Sequence, residues 1–257
     1  YQMPLYIVII ALILLAAAVN WIIISKNRFN VLAIAFLIGV SIFATAFYQS
    51  RRPETSLRVV GYASKLFESD LVKWNVSLQK SISATDLSRG YRDMSSDIMA
   101  FKGYLIEQGL AEGDISIQPA TSYQRFDNYG NMTGYSINQS IFVLSEDLDL
   151  VEDLALNPDF FADRGMVLNN SRLEYLYTKL PVLKQELLAA ATEDALARAS
   201  EIAGSAGTGL GKLREARAGV FQITEPYSTD VSDYGIYNTS TRQKSISVTL
   251  TGYFRLR

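Results

Sequence analysis

The chain of 257 residues has no cysteine and no histidine. Those absences exclude thiol nucleophiles, Ser-His-Asp triads, haem ligation by histidine and nearly all zinc sites. They also remove the side chain that titrates near neutral pH without help. Charge of either sign is sparse. Twenty-four Lys and Arg face 26 Asp and Glu, for a net charge of −2. With a pI near 5.4 there is no basic footprint, so nucleic acid is not an expected partner. Ser-Lys, carboxylate-only and tyrosine chemistries survive, but no spacing selects a dyad from them. The expectation is therefore no catalytic residue, no cofactor and no metal.

What is abundant sits at the start. Two apolar runs, Leu5 to Ile24 and Phe29 to Tyr48, are separated by Lys26-Asn27-Arg28. Each holds about 20 residues, the length that crosses a bilayer core of roughly 30 Å. The pattern predicts a transmembrane helical hairpin in residues 1–50, with spans at about 4–25 and 29–49. Trp21, Lys26, Arg28, Tyr48, Arg51 and Arg52 then read as membrane-interface residues, and lipids as partners. The first run is longer than a signal-peptide core, and no Ala-x-Ala site follows it. Positive charge is nearly balanced across the spans and leaves the orientation open.

Residues 51–56 form a polar linker in which Pro53 stops the second helix. From residue 57 the period shortens to two. Leu57-Val59-Gly61-Ala63 and Trp74-Val76-Leu78 predict two strands with a turn at Glu68-Ser69-Asp70. A helix follows from Thr85 or Asp86 to Gly109, marked by Leu87, Tyr91, Met94, Ile98, Phe101 and Leu105. Strands are expected from Asp114 and from Gly134 to Leu144, around a hairpin tip at Asp127-Asn128-Tyr129-Gly130-Asn131. A short helix is expected over 147–156, a strand over 166–177 and a long Ala-striped helix over 181–206. Two strands, 212–224 and 243–256, close the chain. The class is α+β: one domain, 57–257, with a mainly antiparallel sheet and helices on one face.

Three clusters invite a chemical reading. Asp127, Asn128 and Asn131 offer oxygen ligands, but a calcium loop needs more carboxylates, and a hairpin turn accounts for them. Gly204, Gly207, Gly209 and Gly211 follow a helix, whereas phosphate loops precede one. The carboxylate pairs Glu68 with Asp70 and Glu152 with Asp153 read as turn and helix charges. The polar stretch 225–241 differs. Tyr227, Tyr234 and Tyr237 stand in it among Ser, Thr and Asp, which suits either a contact surface or a mobile loop.

Several segments resemble SIMPL-domain proteins, a bacterial family of unknown function. They are Leu57 to Ala63 followed by Glu68 to Trp74, the helix exit Gly109 to Ile115, the hairpin strand opening at Gly134-Tyr135, the helix Ala189 to Ala206 running into Gly209-Leu210-Gly211-Lys212, and the closing Ser247-Val248-Thr249-Leu250. The resemblance covers about residues 56–257. It implies a fold of strand-helix-strand-strand elements, an envelope location, high-order homo-oligomers and a link to oxidative-stress tolerance. It carries over no catalytic residue. Together with the hairpin it implies an inner-membrane anchor and a periplasmic domain. The expected function is a membrane-anchored, self-assembling envelope scaffold without catalytic activity, with Tyr227, Tyr234 and Tyr237 as candidate oligomer contacts. The alternative is a periplasmic module that binds a ligand or peptide.

Overall fold

The structure, a computed structural model, describes Ala17, Asn20, Trp21, residues 28–50 and residues 56–257. The chain divides into two units, residues 1–55 and 56–257.

In the first unit, helix α1 spans Arg28–Ser50. It covers the second expected span, while the first falls almost wholly outside the described residues. Among the described residues no helix is long and apolar enough to cross a membrane. The two-span hairpin is therefore overturned among the described residues. The inner-membrane location inferred from the hairpin is withdrawn with it. Lys26, Arg51 and Arg52 lie outside the described residues, and Arg28 opens α1. Trp21 and Tyr48 are exposed.

The second unit carries two five-stranded sheets where the sequence suggested one. The first contains β1 (Ser56–Glu68), β7 (Leu210–Ala218), β8 (Gln222–Thr224), β9 (Ile236–Tyr237) and β10 (Gln243–Leu256). The second contains β2 (Leu71–Ile82), β3 (Ile115–Ile117), β4 (Thr121–Phe126), β5 (Met132–Ser145) and β6 (Val167–Leu176). Pairing is antiparallel except for the short parallel contact of β8 with β9. The strands β1 and β2 are nearly continuous in sequence yet belong to different sheets. The chain crosses between the sheets at Ser69 and Asp70. Strand β1 then runs beside β10 for its whole length, from Ser56 opposite Arg255 to Glu68 opposite Gln243.

Alternation explains the second sheet. Val72, Trp74, Val76 and Leu78 on β2 are all buried, and the residues between them are half-buried. They meet Met94, Ile98, Phe101 and Leu105, the stripe at spacings of three and four on helix α2 (Leu87–Glu107). Phe101 stands edge-on to Trp74 with ring centroids 5.8 Å apart. Each large side chain buried there contributes roughly 2–3 kcal/mol. Gly109, at φ +110°, ends the exit from α2. Asp86 occupies the N-cap position of α2, but its carboxylate accepts from the Ser83 hydroxyl and caps nothing. Helices α3 (Leu148–Leu156) and α4 (Asp159–Asp163) cover the rest of this core. The sequence pattern missed α4, which is a single turn.

The first sheet packs on helix α5 (Leu180–Ser205). The buried stripe of α5 is Leu183, Leu187, Ala191, Ala195, Ala199 and Ala203. Alanine is required because backbones nearly touch there. A Cβ on Gly61 would lie 2.1 Å from the Ala191 carbonyl oxygen and 2.7 Å from the Ala195 Cβ. The strand expected over 212–224 breaks between β7 and β8. At that break the Gly219 N–H donates to the Thr249 carbonyl at 2.8 Å, and a Cβ on Gly219 would meet Thr249 Oγ1 at 2.6 Å.

Candidate functional site

The residues 225–241 leave the first sheet after β8 and return as β10. Their polarity suited either a surface or a mobile loop, and the bonding shows a cross-braced segment. The Gln222 side chain clamps Ser232 from both sides: Nε2 donates to the Ser232 carbonyl at 2.7 Å, and Oε1 accepts the Ser232 N–H at 3.3 Å. The Asn238 N–H donates to the Ile223 carbonyl at 2.8 Å, which seats β9 beside β8. The Asn238 amide donates to Glu225 at 2.7 Å, and its oxygen accepts the Ser240 N–H at 2.8 Å. Gly235, at φ +85°, makes the turn between. Such bracing satisfies backbone groups that a floppy loop would leave to water.

The brace presents aromatic rings outward. Tyr227 is 90% exposed, Tyr234 98% and Tyr237 47%. Tyr227 takes φ +64°, the only positive φ of a non-glycine residue among the described residues. A large side chain held outward on a constrained backbone carries little further entropy cost on contact. Between the loop and the sheet lies a cleft of about 520 Å³ lined by Tyr62, Val220, Gln222, Val231 and Thr249 among others.

The same side of the sheet carries β7. It pairs with β10 and, among the described residues, with no other strand. Its side chains from Lys212 to Ala218 are exposed. The opposite edge is different: Asp194 on α5 accepts the Tyr62 N–H of β1 at 2.8 Å. That bond and the Arg198 guanidinium hold the Asp194 carboxyl below the usual carboxylate range. Of the two long outer strands, β1 has a backbone donor blocked by a side chain, whereas β7 pairs on one side with β10 and has exposed side chains. Lys212, Arg214 and Arg217 give β7 a basic character that discourages indiscriminate pairing.

A second polar centre ties the two sheets together. Arg242, just before β10, donates to Asp149 on α3, to Glu68 at the end of β1 at 2.6 Å and to Glu152 at 3.4 Å. Its hydrogen bonds to Asp149 and then Glu68 push the guanidinium pKa further up. Its carbonyl accepts the Ser69 N–H at 3.0 Å. Beside it Lys244 is 1% exposed and donates to the Thr241 carbonyl. Burial lowers its ammonium to about 8. Burial, with Glu152 beside it, raises the phenol of Tyr175 to about 12. The Lys244 ammonium stands 6.0 Å from the Tyr175 ring centroid. A depressed lysine beside a tyrosine is a combination catalysis can use. Here the lysine is enclosed, and nothing places a substrate carbon against it. The sequence reading singled out Glu68 but missed Arg242, Lys244 and Tyr175. They come together only through the contact of β6, β10 and α3, which no local period signals.

The remaining expectations resolve locally. Asp127 accepts the N–H groups of Tyr129 at 2.9 Å and Asn131 at 2.8 Å, so its carboxylate closes the hairpin tip and is held low by those bonds. Gly207, at φ +68°, turns the chain out of α5, and Gly211 lies against the Arg255 backbone. Glu152 faces Arg242 and Tyr175.

The model of SIMPL, described as a protein of unknown function (DUF541), matches residues 57–251 of the chain. No curated protein matches the chain.

Proposed function

We propose a reading that starts from the family: the chain belongs to SIMPL, the proteins of unknown function (DUF541), and its folded unit acts as a self-assembling scaffold rather than an enzyme. The observation that carries this reading is the juxtaposition of the outer strand β7 with the braced Tyr loop on one side of the first sheet. An open edge offers backbone donors and acceptors to a second copy, and the exposed rings supply apolar contact area. The blocked β1 edge gives direction. Edge-to-edge pairing through β7 alone would join two copies and stop. A β7 edge meeting a different surface of the next copy joins head to tail and closes as a ring. The reading assigns no chemistry to Lys244 and Tyr175, whose enclosure suits a structural role.

The test is the mass of the full chain by native mass spectrometry or light scattering. The scaffold reading expects one discrete assembly above a dimer. It also expects the assembly to fall to smaller species in Leu213→Lys, which places a charge on the 40% exposed side chain of β7. A monomer in both proteins would end the reading.

A second reading is a module that binds a ligand or peptide. It draws on the cleft of about 520 Å³ beneath the Tyr loop, whose lining mixes Val220 and Val231 with Gln222 and Thr249. A monomer whose loop resonances shift on addition of a peptide would favour it.

A further inference from the structure

The first sheet is electrically polar along its strands. β1 and β10 run side by side in unbroken register, from Ser56 opposite Arg255 to Glu68 opposite Gln243. At about 3.4 Å per residue, the 13 residues of β1 set the two ends roughly 40 Å apart. Toward the Arg255 end the strands carry Arg58, Lys212, Arg214, Arg217 and Arg255, all exposed, against one carboxylate, Glu215. That carboxylate is taken by Arg217 at 2.5 Å. Arg58 stands opposite Tyr253, so it lies diagonal to Arg255 on the same face of the sheet. Diagonal positions of a ladder are within reach of side chains as long as arginine, and the two like charges repel. Neither forms an ion pair among the described residues.

The other end has the opposite sign. β8 meets β10 at Ser245, and the Tyr loop leaves from there. From Ala218 to Thr241 the sequence has no Lys or Arg, while Glu225, Asp230 and Asp233 stand in that stretch. Glu225 is engaged by the Asn238 amide, whereas the Asp230 and Asp233 side chains are exposed. The loop folds back over the sheet as far as Thr249, with which Asp233 shares a cleft. That leaves Asp233 roughly 20 Å from Arg255 along β10, about two Debye lengths at 0.1 M salt. Within one chain the two groups are therefore screened from each other. Between copies they can meet, and the exposed tyrosine rings beside the carboxylates offer faces on which a guanidinium stacks. Such a contact leaves one end of each sign free on the outer copies, so it repeats until the assembly closes.

We infer that the basic end of the first sheet, Arg58 and Arg255 with Lys212 of β7, receives the Tyr loop of a second copy, whose Asp230 and Asp233 are set against the guanidiniums. This rests on the assembly reading and names the surface that the next copy meets.

Charge exchange tests it on the full chain by sedimentation velocity. One protein carries Arg58→Glu with Arg255→Glu, and another carries Asp230→Lys with Asp233→Lys. Each alone sets like charges across the contact, so its dissociation constant should rise about 100-fold. An equal mixture restores opposite charges at every contact and should assemble again with both proteins present. Wild-type assembly should weaken about tenfold between roughly 50 and 500 mM salt. A wild-type monomer at every salt concentration ends both this contact and the assembly reading. If that monomer sediments with phosphatidylglycerol vesicles, the basic end belongs to a lipid surface instead. A wild type that assembles while both variants assemble equally well overturns the charge contact alone. So does a mixture that stays dissociated although each variant melts cooperatively like the wild type.

Discussion

The Asp194 carboxylate of α5 accepts the backbone N–H of Tyr62 at 2.8 Å and the Arg198 guanidinium at 2.8 Å, so a helix side chain seals a donor on the outer edge of β1. Replacing Asp194 by Ala reopens that donor and frees Arg198. The expected result is a lower melting temperature and new, heterogeneous association at the β1 edge. Light scattering across a concentration series checks it. The pH sign follows from the same bond. The folded carboxyl titrates below its unfolded value, so its stabilising contribution is present above the unfolded pKa and is lost as pH falls through the folded one. An acid melt of the wild type against Asp194→Asn isolates that contribution.

Gly61 and Gly103 should respond oppositely to alanine. At Gly61 the added methyl meets the α5 backbone at 2.1 Å and 2.6 Å, so helix and strand must separate. A loss of about 3 kcal/mol is expected, roughly 6–12 °C in melting temperature for a domain of this size. At Gly103 in α2 nothing lies within 4 Å. The methyl there only restricts the unfolded chain and favours helix, for a gain of about 0.5–1 kcal/mol. Denaturant unfolding of both variants, at matched m-values, separates the two effects.

How much of this was legible in the sequence depends on the range of the interaction. The Val72-Trp74-Val76-Leu78 alternation and the Leu183-to-Ala199 stripe announced β2 and α5, because each period reflects one buried face of one element. The match of β10 to 243–256 has the same cause. The division into two sheets was not legible, because it turns on two residues, Ser69 and Asp70, that send a continuous alternating stretch into different partners. The break at Gly219 depends on contact with Thr249, thirty positions away. In the candidate site, the exposure of Tyr227 and Tyr234 followed from local polarity. The bracing by Gln222 and Asn238 did not, since amides carry no period. The helix reading of 29–49 was sound as secondary structure, but apolar composition alone did not establish a two-span hairpin.

Phe101 tests the second sheet's core. It sits against Trp74, Phe160 and Phe161 with centroids 4.8–5.8 Å away. Phe101→Ala removes that aromatic junction and leaves a cavity between α2 and β2, at a cost of about 3–5 kcal/mol. Trp74 fluorescence should shift to the red as its environment loosens, which a loss confined to the first sheet would not produce.

Lys244 sets an alkaline signature. Its folded value of about 8 lies below the ordinary 10.5, so between those pH values the unfolded chain binds more protons. Stability should therefore rise as pH climbs from about 8, by roughly 1–3 kcal/mol in all. Tyr175 acts with the opposite sign. Its value of about 12 stands above the ordinary 10, so the folded chain holds its proton longer and stability falls again above pH 10. A maximum near pH 10 is the expected wild-type profile. Lys244→Met should flatten the rise and leave the fall. Urea midpoints measured across this range read both limbs, and a wild-type profile that declines steadily from pH 8 would refute the burial argument.

Asn238 separates the order of the Tyr loop from its chemistry. Its side-chain amide joins Glu225 and Ser240 while its backbone N–H holds the β8 backbone, yet it presents no ring to a partner. If copies assemble through preordered tyrosines, Asn238→Ala should weaken assembly even though every tyrosine remains. Loosening the brace adds an ordering cost on contact, of order 1–2 kcal/mol for the first few residues released, or about tenfold in the dissociation constant. The double variant Tyr227→Ser with Tyr234→Ser should weaken it further by removing contact area. Sedimentation velocity on the three proteins gives the ranking. Assembly unchanged in Asn238→Ala but lost in the double variant would mean the rings act without a fixed frame. Assembly unchanged in both would move the contact away from this loop and onto β7 alone.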